Sequence, residues 1–107
     1  MKELLQEFQE GQLWKIQEAE ALTIGVTQNA LDLAGNVVEI ELADAGEEFE
    51  AGDWIGELRG KDSLVEMLAP CRMRVTERNE EVIEQPATVE DDPTGDAWMI
   101  RAEKLDD

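Results

Sequence analysis

Histidine is absent from this chain, and cysteine occurs once, at Cys71. Without histidine the chain cannot form a Ser-His-Asp or Cys-His catalytic unit, and the common zinc sites, built from histidine and several cysteines, are excluded as well. A single cysteine permits no disulfide within the chain. These absences remove most hydrolase functions, and we expect that the protein is not an enzyme.

Basic residues are also few. The chain has 9 Lys and Arg against 27 Asp and Glu, which gives a net charge of −18 at pH 7. Nucleic acid and anionic membrane surfaces would be repelled, because binding phosphate requires clustered basic side chains. Proteins with basic docking surfaces are the partners that this charge attracts, and the attraction weakens as salt is added. Solubility alone is the simpler explanation of the same charge.

Long apolar runs are also missing. No run approaches the roughly 20 residues that a membrane-spanning helix needs. The N-terminal residues are too polar for a secretion signal and too acidic for a transit peptide, so together with the lone cysteine they predict a cytoplasmic protein. A length of 107 residues with 42% apolar residues predicts one globular domain with a modest core.

The first residues have helical periodicity. Met1, Leu4 and Phe8 recur at helical spacing before Gly11, which predicts an amphipathic helix over residues 1–11. From residue 12 onward, apolar and polar residues alternate in short runs between glycine and proline turns. This pattern predicts a mostly β domain with two or three short helices.

Two elements in the first half of this domain are well marked. Thr27 is a suitable N-cap for a short helix that Gly35 ends. The next run predicts a strand whose inward side chains are Val38, Ile40 and Leu42.

The second half is organised around residues 52–70, where two apolar runs flank a short polar segment. This arrangement predicts a β-hairpin with Lys61 and Asp62 at its exposed tip. After it we expect a strand that includes Cys71, a short helix opened by Pro86, and a final strand that starts at Trp98.

The segment from residue 23 to residue 53 carries a recognisable pattern. Thr-Ile-Gly-Val-Thr occupies 23–27, Gly-Asn-Val-Val-Glu-Ile-Glu-Leu occupies 35–42, and Ala-Gly-Asp occupies 51–53. Further matching positions are Trp14, Asn79, Pro86, Val89, Pro93, Gly95 and Trp98. With these residues at matching spacing, the chain resembles the H protein of the glycine cleavage system over residues 12–102.

The resemblance implies a mostly β fold of the barrel-sandwich hybrid type, as in lipoyl and biotinyl domains, with short flanking helices. The lipoyl-type domain then comprises residues 12–107. In that family a lysine at a hairpin tip bears lipoate, whose arm visits a pyridoxal-phosphate decarboxylase, a folate-dependent transferase and a flavin dehydrogenase. The resemblance therefore implies a carrier without turnover of its own, and its partners would be glycine cleavage enzymes or lipoylation enzymes.

The attachment position departs from the family pattern. The family's lysine lies ten residues after the glycine that matches Gly52 and eight before the proline that matches Pro70, and both counts fall on Asp62. Lys61 is one residue early. Because the length from Gly52 to Pro70 is preserved, no insertion or deletion restores the lysine, and a one-residue shift at a hairpin changes where a side chain points.

Two interpretations follow from this displacement. In the favoured one, Asp62 replaces the attachment lysine, no lipoate is bound, and the chain is a non-catalytic, carrier-shaped binding module. In the alternative, Lys61 bears lipoate, because Gly60 beside it permits a rearranged backbone. The chain would then shuttle aminomethyl groups in glycine cleavage or serve a related lipoate-dependent pathway.

Two further features have simple structural explanations. Cys71 near the hairpin base invites a role for its thiol, but a small buried hydrophobe on a strand accounts for it. The carboxylates between residues 39 and 53 are dense, with Glu39 and Glu41 on one strand face. They lack a calcium-loop pattern, so they predict a solvated face or a docking surface rather than a cation site.

Overall fold

The computed structural model describes residues 5–105, in which strands dominate. The elements in chain order are β1 Leu5–Phe8, β2 Leu13–Glu18, β3 Ala21–Val26, α1 Gln28–Ala34, β4 Val37–Leu42, β5 Glu48–Phe49, β6 Trp54–Gly60, β7 Leu64–Leu68, β8 Met73–Arg78, α2 Glu80–Glu84, a 3-10 helix Pro86–Glu90 and β9 Ile100–Lys104.

The strands form two antiparallel sheets. A six-stranded sheet has the order β1-β2-β3-β9-β8-β5, and a three-stranded sheet has the order β4-β6-β7. One buried apolar cluster draws on both sheets, with Leu22 and Ile24 from the larger and Ile40, Leu58 and Met67 from the smaller. The predicted mostly β architecture is confirmed.

Strand β1 replaces the C-terminal part of the helix predicted over residues 1–11. β1 pairs with β2 over its whole length, and the turn between them holds Gln9 and Glu10 at φ 54° and 57°. A short apolar pattern fits a helical turn or a strand equally well, and pairing with the edge of β2 decides between them. The rest of the helix prediction falls on residues 1–4, which lie outside the described residues.

The inward face of β4 also differs from its prediction. Val37, Ile40 and Leu42 are buried, whereas Val38 is 61% exposed. The register of β4 on β6 shifts between Val37 and Glu39, and this bulge turns Val38 outward. Strict alternation was therefore the wrong assumption at the start of this strand.

The helix ends follow local capping chemistry. The Thr27 hydroxyl oxygen accepts a hydrogen bond from the Ala30 N–H, and α1 ends at Gly35 with φ 81°, as predicted. Pro86 opens the 3-10 helix, also as predicted. Asn79 caps α2, a helix that the sequence analysis missed because its five residues are too few for a periodic signal.

The predicted hairpin is formed by β6 and β7, and its loop is fastened to the end of α1. The loop comprises residues 61–63. Its first N–H donates to the carbonyl of Asn36 at 2.8 Å, and the next two donate to the carbonyl of Ala34 at 2.8 and 3.2 Å. A helix leaves its last carbonyls without intrahelical partners, so the loop supplies donors that the end of α1 requires.

Gly60 makes this approach possible, and its substitution tests the docking of the loop. A Cβ at Gly60 would lie 2.0 Å from the Ala34 carbonyl oxygen. We expect Gly60→Ala to lower the free energy of unfolding by about 1–3 kcal/mol, because the loop must move off the helix end. Urea denaturation measures the difference.

Ser63→Ala is the matched control in the same loop. Ser63 contributes to the docked loop through its backbone, and its side chain makes no hydrogen bond within residues 5–105. Loss of the hydroxyl should therefore lower the free energy of unfolding by less than about 0.5 kcal/mol. Equal destabilisation by both variants would contradict the docking role of Gly60.

Candidate functional site

Lys61 and Asp62 both lie in the exposed loop between β6 and β7, at the tip of the hairpin. Lys61 and Asp62 are the two residues of the turn itself, because Arg59 pairs with Leu64 and the Gly60 N–H donates to the Ser63 carbonyl at 2.9 Å. The tip therefore presents an amine and a carboxylate side by side, and we call Asp62, the second turn residue, the apex residue because both spacing counts lead to it.

The Asp62 carboxylate lies against the end of α1. A Cβ built on Gly35 would come within 2.6 Å of Oδ2 of Asp62. Helix C-termini carry partial negative charge, so a carboxylate is less favourable there than a cation. No hydrogen bond or ion pair within residues 5–105 offsets this, and the stability of the loop does not explain an aspartate at the apex.

Lys61 is held by its backbone and exposed at its side chain. Its N–H is bonded to Asn36, while its amine has no carboxylate within ion-pair distance among residues 5–105. The amine is thus the accessible nucleophile of the tip, and it belongs to the first of the two turn residues rather than to the second.

Cys71 lies near the hairpin base but outside the strand predicted for it. It sits in a bend before β8, which begins at Met73. The residue is half-buried with a free thiol, and it packs against the core cluster. Packing alone accounts for its position.

The acidic loop before the hairpin uses its carboxylates locally. Glu48 lies 3.9 Å from Arg74, Glu50 lies 3.2 Å from Arg72, and Asp53 accepts a hydrogen bond from the Glu50 N–H. Within residues 5–105, no group of three or more Cys, Asp or Glu side chains is arranged to hold a metal ion. The loop is built from ion pairs and a turn.

The sequence analysis missed the full extent of the acidic face on the three-stranded sheet. Glu57 lies directly opposite Glu41, and Glu66 lies opposite Glu57. Only Glu39 and Glu41 were expected to share a face. The alternation of apolar and polar residues in the two hairpin arms indicates which side chains face outward. It does not show which of them are cross-strand neighbours, because that requires the register of all three strands.

Arg78 is another residue whose role emerges only from the fold. Its guanidinium donates to the carbonyl of Leu42 at 3.1 Å and binds Asp44 and Glu80 at 2.8 and 2.7 Å. The hydrogen bond to Glu80 raises the pKa of Arg78 above its ordinary value. This cation ties the end of β8 to the end of β4, and so joins the two sheets.

One groove in the described surface lies away from the hairpin loop. A groove of about 310 Å³ lies on the six-stranded sheet, and its lining includes Ile16, Thr76 and Arg101 but no residue of the hairpin loop. The helices within residues 5–105 are too short and too polar to cross a membrane. The hairpin tip is a projecting surface feature and not a pocket.

Comparison with known proteins identifies the family. A model of the glycine cleavage H-protein matches residues 5–107. The glycine cleavage system H protein of Clavibacter sepedonicus is 35% identical over 88 residues, which are 82% of this chain and 72% of that protein. The corresponding protein of Carboxydothermus hydrogenoformans is 42% identical over 80 residues, which are 75% of this chain and 62% of that protein.

A third relative and a solved structure agree. The H protein of Trichormus variabilis is 39% identical over 84 residues, 78% of this chain and 65% of that protein, so this chain spans 62–72% of the length of the three relatives. A crystal structure of a glycine cleavage system H protein from Mycobacterium marinum has a TM-score of 0.87 at 23% identity, covering 94% of this chain and 84% of that chain. The predicted barrel-sandwich hybrid fold is confirmed. With the family model and several relatives in agreement, this chain belongs to the glycine cleavage H-protein family.

Proposed function

We propose that this member of the family is a non-catalytic, carrier-shaped binding module that bears no lipoate. The observation that carries the proposal is the residue at the hairpin apex, which is Asp62 where the family pattern has its attachment lysine. The length of the family's hairpin segment, from Gly52 to Pro70, is retained.

The chemistry of attachment supports this conclusion. Lipoate, when bound, supplies a dithiolane on a long arm that accepts and releases a reacting group, and its link to the protein is an amide formed by a lysine amine. A carboxylate at the apex has no nitrogen with which to form that amide. The residue at the family's attachment position therefore does not fit the cofactor.

The fixed backbone of the loop argues against a simple rearrangement that would bring Lys61 to the apex. Moving the chain by one residue breaks the three hydrogen bonds from residues 61–63 to Asn36 and Ala34. A typical intramolecular hydrogen bond contributes about 0.5–1.5 kcal/mol net, so the shift costs a sizeable part of a small domain's stability.

A second candidate function rests on the accessibility of Lys61. Its amine is exposed and has no ion pair within residues 5–105, and it lies beside Gly60 at the same tip. If lipoylation enzymes accept an amine one residue early, the chain is a working carrier of aminomethyl groups or serves a related lipoate-dependent pathway.

Partners in the proposed function are proteins with basic docking surfaces, and glycine cleavage or lipoylation enzymes are the first candidates. A net charge of −18 gives long-range attraction to such surfaces. We further propose that the protein acts in the cytoplasm and has no turnover of its own, since a chain without histidine offers few routes to acid–base catalysis at neutral pH.

Intact-mass measurement after co-expression with lipoylation enzymes tests the proposal. We expect the wild type to remain unmodified and Asp62→Lys to gain one lipoyl group, because the variant restores an amine at the apex on an otherwise intact hairpin. Lys61→Ala combined with Asp62→Lys should be modified to the same extent, which assigns the modification to position 62.

The outcomes separate the two candidate functions. A lipoyl group on the wild type that disappears in Lys61→Ala would overturn the proposal and establish the working carrier. If Asp62→Lys also stays unmodified while an intact H protein is lipoylated in the same cells, the identity of the apex residue is not what prevents attachment.

A further inference from the structure

The outward surface of the three-stranded sheet combines exposed apolar and acidic side chains. We call this surface the hairpin face. Its members come from β4 and from both arms of the hairpin: Val38, Glu39, Glu41, Trp54, Glu57, Arg59, Leu64, Glu66 and Leu68. Four of the six large exposed hydrophobic residues in the described part of the chain belong to it.

A row of like charges crosses the centre of the hairpin face. Glu41, Glu57 and Glu66 are direct cross-strand neighbours on three adjacent strands, and we call them the carboxylate row. No cation lies within ion-pair distance of any of the three among residues 5–105. Their only side-chain hydrogen bond there comes from the Trp54 indole to Glu57, at 3.3 Å. Like charges directly opposite one another destabilise a sheet.

The six-stranded sheet of the same protein avoids this arrangement. Arg74 lies between Glu48 and Glu103 on the neighbouring strands and forms ion pairs with both. Glu77 is likewise paired with Arg101 at 3.2 Å. Cross-strand charges are thus matched on one sheet and left unmatched at the centre of the other. The positive charge that would complement the carboxylate row is not supplied by the described chain.

Apolar side chains lie on both sides of the carboxylate row, toward the base and toward the tip of the hairpin. Trp54 pairs with Leu68 at the base of the hairpin, and each is 37% exposed. Leu64, which is 46% exposed, lies near the tip. A charged centre with apolar side chains on both sides suits a protein partner, because a buried aromatic anchor such as Trp54 can supply much of the binding energy while charges fix partner choice.

We propose that the hairpin face docks a partner protein whose surface presents lysine or arginine side chains to the carboxylate row and apolar side chains to the exposed apolar residues on either side of it. This inference deepens the proposed binding function by assigning it a surface. It does not depend on the lipoylation state, because neither Lys61 nor Asp62 belongs to the hairpin face.

Charge complementarity and a blocked edge select this occupant. A second copy of the chain would oppose one carboxylate row to another, and nucleic acid would bring phosphates against it. Addition of a strand to β7 is hindered because Gln9 already occupies that edge. Its amide donates to the carbonyl of Glu66 at 2.5 Å and accepts from the Leu68 N–H at 2.9 Å. A partner therefore approaches the face of the sheet rather than its edge.

Relief of repulsion in the carboxylate row is the first test, and it needs no partner. Glu57→Gln removes the central charge and keeps an oxygen that can accept from Trp54. We expect the melting temperature at low salt to rise by about 2–5 °C, and the gain to shrink in 1 M NaCl. Glu39→Gln is the matched control, because Glu39 faces Arg59 at 3.6 Å and should give no gain. No rise for Glu57→Gln, or an equal rise for both, would contradict the repulsion.

Binding to the three purified glycine cleavage enzymes that act on an H protein is the second test. Biolayer interferometry compares the wild type with a variant neutralised at all three positions of the carboxylate row, E41Q/E57Q/E66Q. We expect at least one enzyme to bind the wild type, the row variant to bind it at least tenfold more weakly, and Leu64→Ala to weaken it as well.

A control variant with the same net charge separates the hairpin face from general attraction. E18Q/E20Q/E84Q removes three exposed carboxylates that lie outside the hairpin face and form no ion pair within residues 5–105, and it should bind within twofold of the wild type. Equal weakening in both triple variants, no binding of the wild type to any of the three enzymes, or a wild-type dimer that the row variant abolishes would each overturn the docking proposal. None of these results alters the mass measurement on which the absence of lipoate is judged.

Discussion

The close approach of Gly60 to the Ala34 carbonyl is the contact on which the position of the hairpin depends. The end of α1 has carbonyls without intrahelical partners, and the loop at 61–63 has N–H groups without strand partners, so each satisfies the other. A side chain at Gly60 would keep them apart. Because the tip is fastened in this way, both arms of the hairpin are held in place, and the apex and the hairpin face are rigid features of the same element.

Sequence reasoning succeeded where the cause of a structure is local. Thr27 and Gly35 determine the ends of α1 through their own conformational preferences, and the two apolar runs around a short polar segment in residues 52–70 determine the hairpin. It failed where pairing with a neighbouring strand determines the local structure. The strand character of β1 depends on β2, and the outward turn of Val38 depends on a register shift against β6. For the same reason, the carboxylates of β4 were expected to share a face while their neighbours on β6 and β7 were not foreseen.

The two sheets treat charge differently, and the difference is informative because both belong to one small chain. Every described arginine has a carboxylate partner, and most of these pairs lie on or beside the six-stranded sheet. Exposed ion pairs contribute little to stability, so their value lies mainly in avoiding repulsion between crowded carboxylates. The carboxylate row is left without that protection at the centre of a sheet. Repulsion in the carboxylate row makes folding less favourable. Its presence at this one place is better explained by a requirement of binding than by one of stability.

Asp62 and the carboxylates of the hairpin face both make the charge of the hairpin more negative. Residues 52–70 contain four acidic and two basic side chains, whereas a lysine in place of Asp62 would make the numbers equal. With aspartate there, the charges at the tip offset one another, and the acidic excess of the hairpin attracts a basic partner to its arms. An attached arm needs a partner with a deep channel to receive it, but a broad acidic face needs only a complementary surface. In the proposed function, the aspartate at position 62 therefore leaves the hairpin suited to binding through its face, independently of any group carried at its tip.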